Sequence, residues 1–188
     1  MFRYFAKNIT NILIKNKKLN IENKEIYEYA MEAILMNSIL LIVFLGISII
    51  GEKTDFYMGF LLFFVPMRTF AGGYHAKKSE TCFILSTVSY TVAMHVCKWL
   101  ENSYNYVIII CIYVIAILSF LLWSPLNNIN HPMAEYQYKR NKKIVYSLVI
   151  LYSLCFVLFT VVKCRLAICE VVFVALAAIF LVAGRLRG

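Results

Sequence analysis

The chain has 188 residues, 62% of them hydrophobic and only 15% charged, with a mean hydropathy of +0.74. Soluble domains are about 45–50% apolar, so this composition argues against a water-soluble enzyme. It reads instead as one all-α polytopic transmembrane bundle covering residues 1–188, too short for a separate soluble domain. Lys and Arg number 19 against 10 Asp and Glu; because the basic residues sit between apolar runs, membrane orientation accounts for the excess and no nucleic-acid partner is expected.

In chain order, the first element is an amphipathic segment, residues 1–30. Phe2, Phe5, Ile9, Ile12 and Leu13 fall at helical spacing, with Arg3, Lys7 and Lys15 between them. That pattern predicts a helix lying on the cytoplasmic membrane surface; from Lys15 to Lys24 a solvated basic tail fits equally well. No short apolar run leads to a small-residue cleavage site, so no signal peptide is expected. A crossing helix needs about 20 apolar residues. Residues 33–50, 106–123, 144–162 and 166–183 meet that requirement, and 81–97 meets it with polar content. Residues 56–67 are too few and contain Pro66, which is expected to end a preceding helix; this segment spans if it extends to Phe70 and is otherwise re-entrant.

Six crossings with both termini inside place fifteen basic residues on the cytoplasmic side. These are Arg3, Lys7, Lys15, Lys17, Lys18 and Lys24, then Arg68, Lys77 and Lys78, then Lys139, Arg140, Lys142 and Lys143, and finally Arg185 and Arg187. Only Lys53, Lys98, Lys163 and Arg165 fall outside, a split that favours N-in and C-in. Trp99 and Trp123 then stand at helix ends, where interfacial aromatics belong.

One polar stretch interrupts this pattern: RTFAGGYHAKKSETC, residues 68–82. Cytoplasmic placement keeps the Cys82 thiol reduced. With Ser79 as an N-cap, Cys82 falls in the first turn of the next helix, where the dipole and unpaired N–H groups favour an anion. Lys77 and Lys78 add to that potential and Glu80 opposes it. His75 precedes Cys82 by seven residues, about 10.5 Å along a continuous helix. A Cys–His pair therefore requires the chain to fold back. Gly72 and Gly73 supply a backbone free to turn, and their N–H groups could serve as oxyanion donors. The bland alternative for each residue is an interfacial histidine, a structural cysteine, a packing glycine pair and a flanking arginine. The other cysteines read as small hydrophobes: Cys97, Cys111, Cys155 and Cys169 lie in apolar runs and Cys164 in a connection. No CxxC occurs, so neither a metal site nor a cofactor is expected. His95 reads as a packing residue and His131 as a loop residue. Glu170, ionisable inside a span, reads as structural, with Arg165 or Lys163 as its partner.

Arg68, then Gly72-Gly73-Tyr74-His75-Ala76, then Cys82, resembles the core of the accessory gene regulator B (AgrB) family of membrane cysteine endopeptidases. The later SPLNNINHP, residues 124–132, which opens an expected cytoplasmic loop over 124–143 that ends in a basic run, is also similar to that family. The resemblance implies Cys82 as nucleophile, His75 as general base, and Arg68, Gly72 and Gly73 in support. It implies an AgrD-like propeptide as substrate in a bacterial cell membrane, with an acidic C-terminal tail that Lys139, Arg140, Lys142 and Lys143 would bind. Thiolate attack would release the tail through a thioester, and cyclisation would yield a thiolactone or lactone autoinducer for quorum sensing. The resemblance suggests a homodimer, which no motif demonstrates. The competing reading is a small peptide transporter or exporter, with Glu170, His95 and Arg68 lining a path and Cys82 dispensable.

Overall fold

The computed structural model describes residues 2–16, 21–74, 79–103, 105–126 and 133–187. Every regular element among them is helical: α1 (Phe2–Lys15), a 3-10 turn (Ile21–Asn23), α2 (Lys24–Ile50), α3 (Thr54–Gly59), a π-helical turn (Phe60–Phe64), α4 (Val65–Ala71), α5 (Ser79–Ser103), α6 (Tyr106–Trp123), α7 (Glu135–Val161) and α8 (Leu166–Arg187). Four helices are long and apolar enough to cross a membrane: Lys24–Ile50, Tyr106–Trp123, Glu135–Val161 and Leu166–Leu186. Large aliphatic side chains cover their outer faces, among them Ile42, Leu122, Leu154 and Val161. In water such surface would drive aggregation; in a bilayer it meets its own kind, because backbone donors and acceptors are satisfied within each helix.

The chain divides into two compact units, Met1–Ile47 with Ala76–Val88, and Ser48–His75 with Ser89–Gly188. In the first, α1 buries a stripe of Phe2, Ala6 and Thr10. These residues recur every fourth position and so share one helix face. The Phe2 ring lies 5.8 Å from that of Phe83. The apolar set read from the sequence is thus divided, since Phe5 and Ile12 remain exposed.

In the second unit α8 is the central element. Val171, Phe173, Val174 and Leu181 are fully buried, and α6, α7, α4 and the 54–64 segment all pack on α8. Lipid tails are as apolar as leucine, so close fit rather than hydrophobicity must hold these helices together. Gly59 provides one such fit: a Cβ there would stand 2.9 Å from the Cys169 Cβ. Aromatic rings provide another. Phe173 meets Phe56 at 4.4 Å, and Phe60 meets Tyr90 edge-on at 5.2 Å; such pairs contribute about 0.5–1.5 kcal/mol each beyond area burial. The Cys97 and Cys169 sulfurs are 3.7 Å apart and unbonded. Lys53, before α3, donates to Glu101 at 2.7 Å. This hydrogen bond, more than the surrounding charge, raises the Lys53 ammonium above its ordinary 10.5. Its stabilisation is therefore present below 10.5 and is lost only as pH rises through the higher folded value.

Pro66 does not end the helix that precedes it. Helical backbone continues from Thr54 through the π turn to Ala71, with Pro66 in the first turn of α4. A proline within a helix leaves the carbonyl four residues earlier without its donor. Here that carbonyl belongs to Leu62, and the Tyr152 hydroxyl of α7 donates to it at 2.6 Å. The π turn takes up the ring's bulk, with Val65 N–H bonded to the Phe60 carbonyl. The eighteen residues therefore form one helical stretch of about 27 Å.

Candidate functional site

The end of α4 builds a tightly held turn. Gly72, at φ +76°, terminates the helix, and Gly73 follows at φ +128°. Both values lie where L side chains are strained, so only glycine adopts them freely. Three chain segments of the same unit hold this turn. Leu126, after α6, donates its N–H to the Ala71 carbonyl at 2.9 Å. Tyr74 donates its N–H to the Phe180 carbonyl of α8 at 2.8 Å. Arg68, one turn before Gly72, donates to the Tyr74 carbonyl. Its guanidinium carbon lies 5.3 Å from the centre of the Phe180 ring, a geometry suited to cation–π attraction. The space is closed: a Cβ on Gly73 would meet the Phe180 carbonyl oxygen at 2.8 Å.

Cys82 is the fourth residue of α5 and is half-buried. It belongs to the first unit. Ser79 lies inside the helix rather than capping it, and its hydroxyl donates to the Glu32 carboxylate of α2. The Ser79 hydroxyl, expected to cap the helix, is instead engaged by Glu32.

A model of the accessory gene regulator B family matches residues 6–183. The chain belongs to this family. Comparisons with curated proteins and with solved structures gave no match. Membership supports a role in autoinducer peptide processing in quorum sensing, with an AgrD propeptide as substrate and a multi-pass membrane location.

Against that identity, the residues of the family's core divide as follows. Arg68, Gly72 and Gly73 are brought together on one turn. His75, Lys77 and Lys78 lie outside the described residues, as does 127–132 with His131. Lys139, Arg140, Lys142 and Lys143 are not in a loop. They occupy the first turns of α7, where Lys139 pairs with Glu135 at 2.6 Å and Lys142 lies over the Tyr146 ring at 5.8 Å. Arg140 and Lys143 are exposed, with no carboxylate partner among the described residues.

The three residues of the exporter reading do not share a surface. His95 is exposed, with its Nδ1 2.8 Å from the Thr91 carbonyl of its own helix. Glu170 is fully buried and accepts from the Tyr113 hydroxyl at 3.3 Å, not from Arg165 or Lys163. Arg68 is engaged at the glycine turn. A cavity of about 250 Å³ between α6, α7 and α8, lined by Tyr106, Phe156 and Lys163 among others, contains none of the three. The anchors that sequence reasoning missed are Phe180, Leu126 and Tyr152. Nothing distinguishes them from other apolar residues in the sequence, since two act through backbone groups and the third through a hydroxyl ninety residues from its acceptor.

Proposed function

We propose that this protein is an integral membrane cysteine endopeptidase that removes the C-terminal tail of an AgrD-like propeptide and promotes its cyclisation. The observation that carries this reading is the family match over residues 6–183. Cys82 gives its proton to His75 and attacks the carbonyl at the tail junction. The C–N bond breaks, His75 returns the proton to the departing amine, and a thioester joins the peptide to Cys82. The peptide's own cysteine or serine then gives its proton to His75 and attacks that thioester. Cys82 leaves as thiolate and the product is a thiolactone or lactone. Water competes for the thioester, so a water-poor membrane interface favours the ring. The glycine turn, with Arg68 on its outgoing carbonyl, supports an active site built around the residue that follows Tyr74. The test is co-expression with a candidate propeptide, read by mass spectrometry for the free tail, the ring and a peptide–protein thioester. Intact propeptide after co-expression with folded protein would contradict the reading.

Six crossings, N-in and C-in, belong to the same proposal. The 54–71 helical stretch approaches the hydrocarbon thickness of about 30 Å, and α5 at 25 residues exceeds it. Exposed Tyr4, Phe5 and Ile12 suit α1 to the cytoplasmic interface. Single reporter cysteines at 52, 77 and 139 in a cysteine-free background test the topology. An impermeant thiol reagent on intact cells should label position 52 alone. Labelling at 77 as well as 52 would leave only four crossings, and labelling at 139 without 52 would reverse the orientation.

The basic start of α7 is assigned to the propeptide's acidic tail. Lys139, Arg140, Lys142 and Lys143 lie beyond the first turn of α7, which begins at Glu135, and the helix dipole acts mainly within that turn, so the helix itself does not call for them. Topological anchoring uses them, and so would an acidic ligand, attracted over a Debye length of about 8 Å. Since Glu135 already partners Lys139, Arg140 and Lys143 should carry most of the attraction. Changing both to Gln should raise KM about 3–10-fold in liposomes of verified orientation, with kcat unchanged. Lys139→Gln alone should have little effect. An unchanged KM at low and high salt would remove this role, and a fall in kcat alone would assign the segment to catalysis instead.

A further inference from the structure

We propose that Cys97 and Cys169 form a stabilising disulfide at the outside face of the cell membrane, closed by exchange with an external low-molecular-weight disulfide while the bundle assembles. The choice of side rests on the N-in, C-in reading. The two sulfurs lie 3.7 Å apart, and the structure holds them as thiols. Both residues belong to the same compact unit. Bonded sulfurs stand at about 2.05 Å, so the pair has less than about 2 Å to close.

Sequence and packing bring the two together for separate reasons. On α5, Tyr90, Ala93, Cys97 and Leu100 form the buried stripe, at helical spacing. On α8, Cys169 is the fourth residue, and Gly59 of α3 closes on its Cβ because it carries none itself. Glu101 follows Cys97 by about one turn and serves two partners. Its Oε2 accepts the Lys53 hydrogen bond at 2.7 Å, and its Oε1 lies 3.9 Å from the Cys97 sulfur.

This cluster stands at the opposite end of α8 from the glycine turn. Tyr74 is held at Phe180, which lies beyond Cys169 by about 16 Å along the helix. The four cations that the orientation places outside border the pair: Lys53 on Glu101, Lys98 beside Cys97, and Lys163 and Arg165 shortly before Cys169. Surroundings outside the cell are oxidising, whereas the cytoplasm keeps thiols reduced. The pair and the glycine turn therefore meet different redox conditions although one helix touches both.

The exchange balances. Cys97 gives its proton to Glu101 and attacks one sulfur of the external disulfide, and one external thiolate leaves. Cys169 gives its proton to that thiolate and attacks the Cys97 sulfur. The second external thiolate leaves and takes the proton from Glu101. Two protein thiols are oxidised, and one external disulfide is reduced to two thiols. Both protein sulfurs are buried in the finished fold, so the exchange precedes final packing and the closed bond is then shielded from reductants.

The test uses cells expressing the full chain, lysed in denaturing detergent with N-ethylmaleimide. The protein is digested and mapped by mass spectrometry with and without prior reduction. The expected result is a linked Cys97–Cys169 peptide in most of the protein, lighter by two hydrogens than its separate parts. Cys82, Cys111, Cys155 and Cys164 should be alkylated without reduction. Cys97→Ala/Cys169→Ala should lower the midpoint of thermal unfolding in detergent by about 5–15 °C, because the bond bridges a separation of 72 residues. The reporter cysteine at position 52, next to Lys53, reads the side. Unlinked, alkylated Cys97 and Cys169 with position 52 labelled from outside overturn the inference and leave the orientation standing. Linkage of either cysteine to any other thiol, or an unchanged midpoint in the double variant, overturns it too. Position 52 shielded, whether or not the pair is linked, shows that the orientation has failed, and the outside-face disulfide falls with it.

Discussion

Replacing Cys82 with alanine should abolish release of the propeptide tail, a loss of at least about 10⁴-fold, while the protein still inserts and folds. The size of the effect follows from the chemistry. Without the sulfur there is no thioester, so neither cleavage nor transfer to the peptide's own nucleophile can proceed by that route. His75→Ala should cost about 10²–10⁴-fold, the usual contribution of a general base. A residual activity that rises with pH should remain in that variant, because hydroxide can remove the thiol proton that His75 no longer takes. Cys97, Cys111, Cys155, Cys164 and Cys169 should be replaceable together with most activity kept. Cys97 and Cys169 are best changed to Ala, since both are buried with their sulfurs in contact. Mass spectrometry of the co-expressed propeptide reads all of these variants. Normal processing by the Cys82→Ala protein would end the endopeptidase reading.

Gly73→Ala should lower turnover by about 100-fold or more, with a smaller loss for Gly72→Ala. At Gly73 two penalties combine. The backbone sits at φ +128°, and a Cβ there would come within 2.5 Å of the Arg68 guanidinium and 2.8 Å of the Phe180 carbonyl oxygen. Arg68 can swing aside only by releasing the Tyr74 carbonyl; the helix carbonyl is fixed. At Gly72 the nearest neighbour of a Cβ is the Leu126 carbonyl oxygen at 3.1 Å, a milder clash, although φ +76° with ψ −151° is likewise a region that essentially only glycine adopts. Turnover of purified variants in liposomes, at saturating propeptide, separates the two positions. Equal and near-parental kcat for both would mean that the turn does not shape the working site.

Much of this was legible in the chain because the bilayer leaves few choices. A segment that crosses hydrocarbon must satisfy its own backbone and be about 30 Å long, so the four longest apolar helices could be read from composition and length. The glycine pair was legible for a related reason: a chain leaving a helix at positive φ needs a residue without Cβ.

What pairs with what was not legible, because it depends on groups far apart in sequence. Pro66 reads as a helix terminator until the Tyr152 hydroxyl meets the orphaned Leu62 carbonyl. Glu170 reads as a partner for nearby cations, yet the hydroxyl that reaches it belongs to Tyr113, fifty-seven residues earlier. The basic run read as loop is the start of α7, whose first turn Glu135 opens and ties to Lys139. Phe180 contributes to the turn through its carbonyl, which every residue possesses. Composition and periodicity therefore determined which segments are helical and where the polar turn interrupts them. Only the tertiary structure decided which backbone groups hold that turn, because a main-chain hydrogen bond carries no side-chain signature.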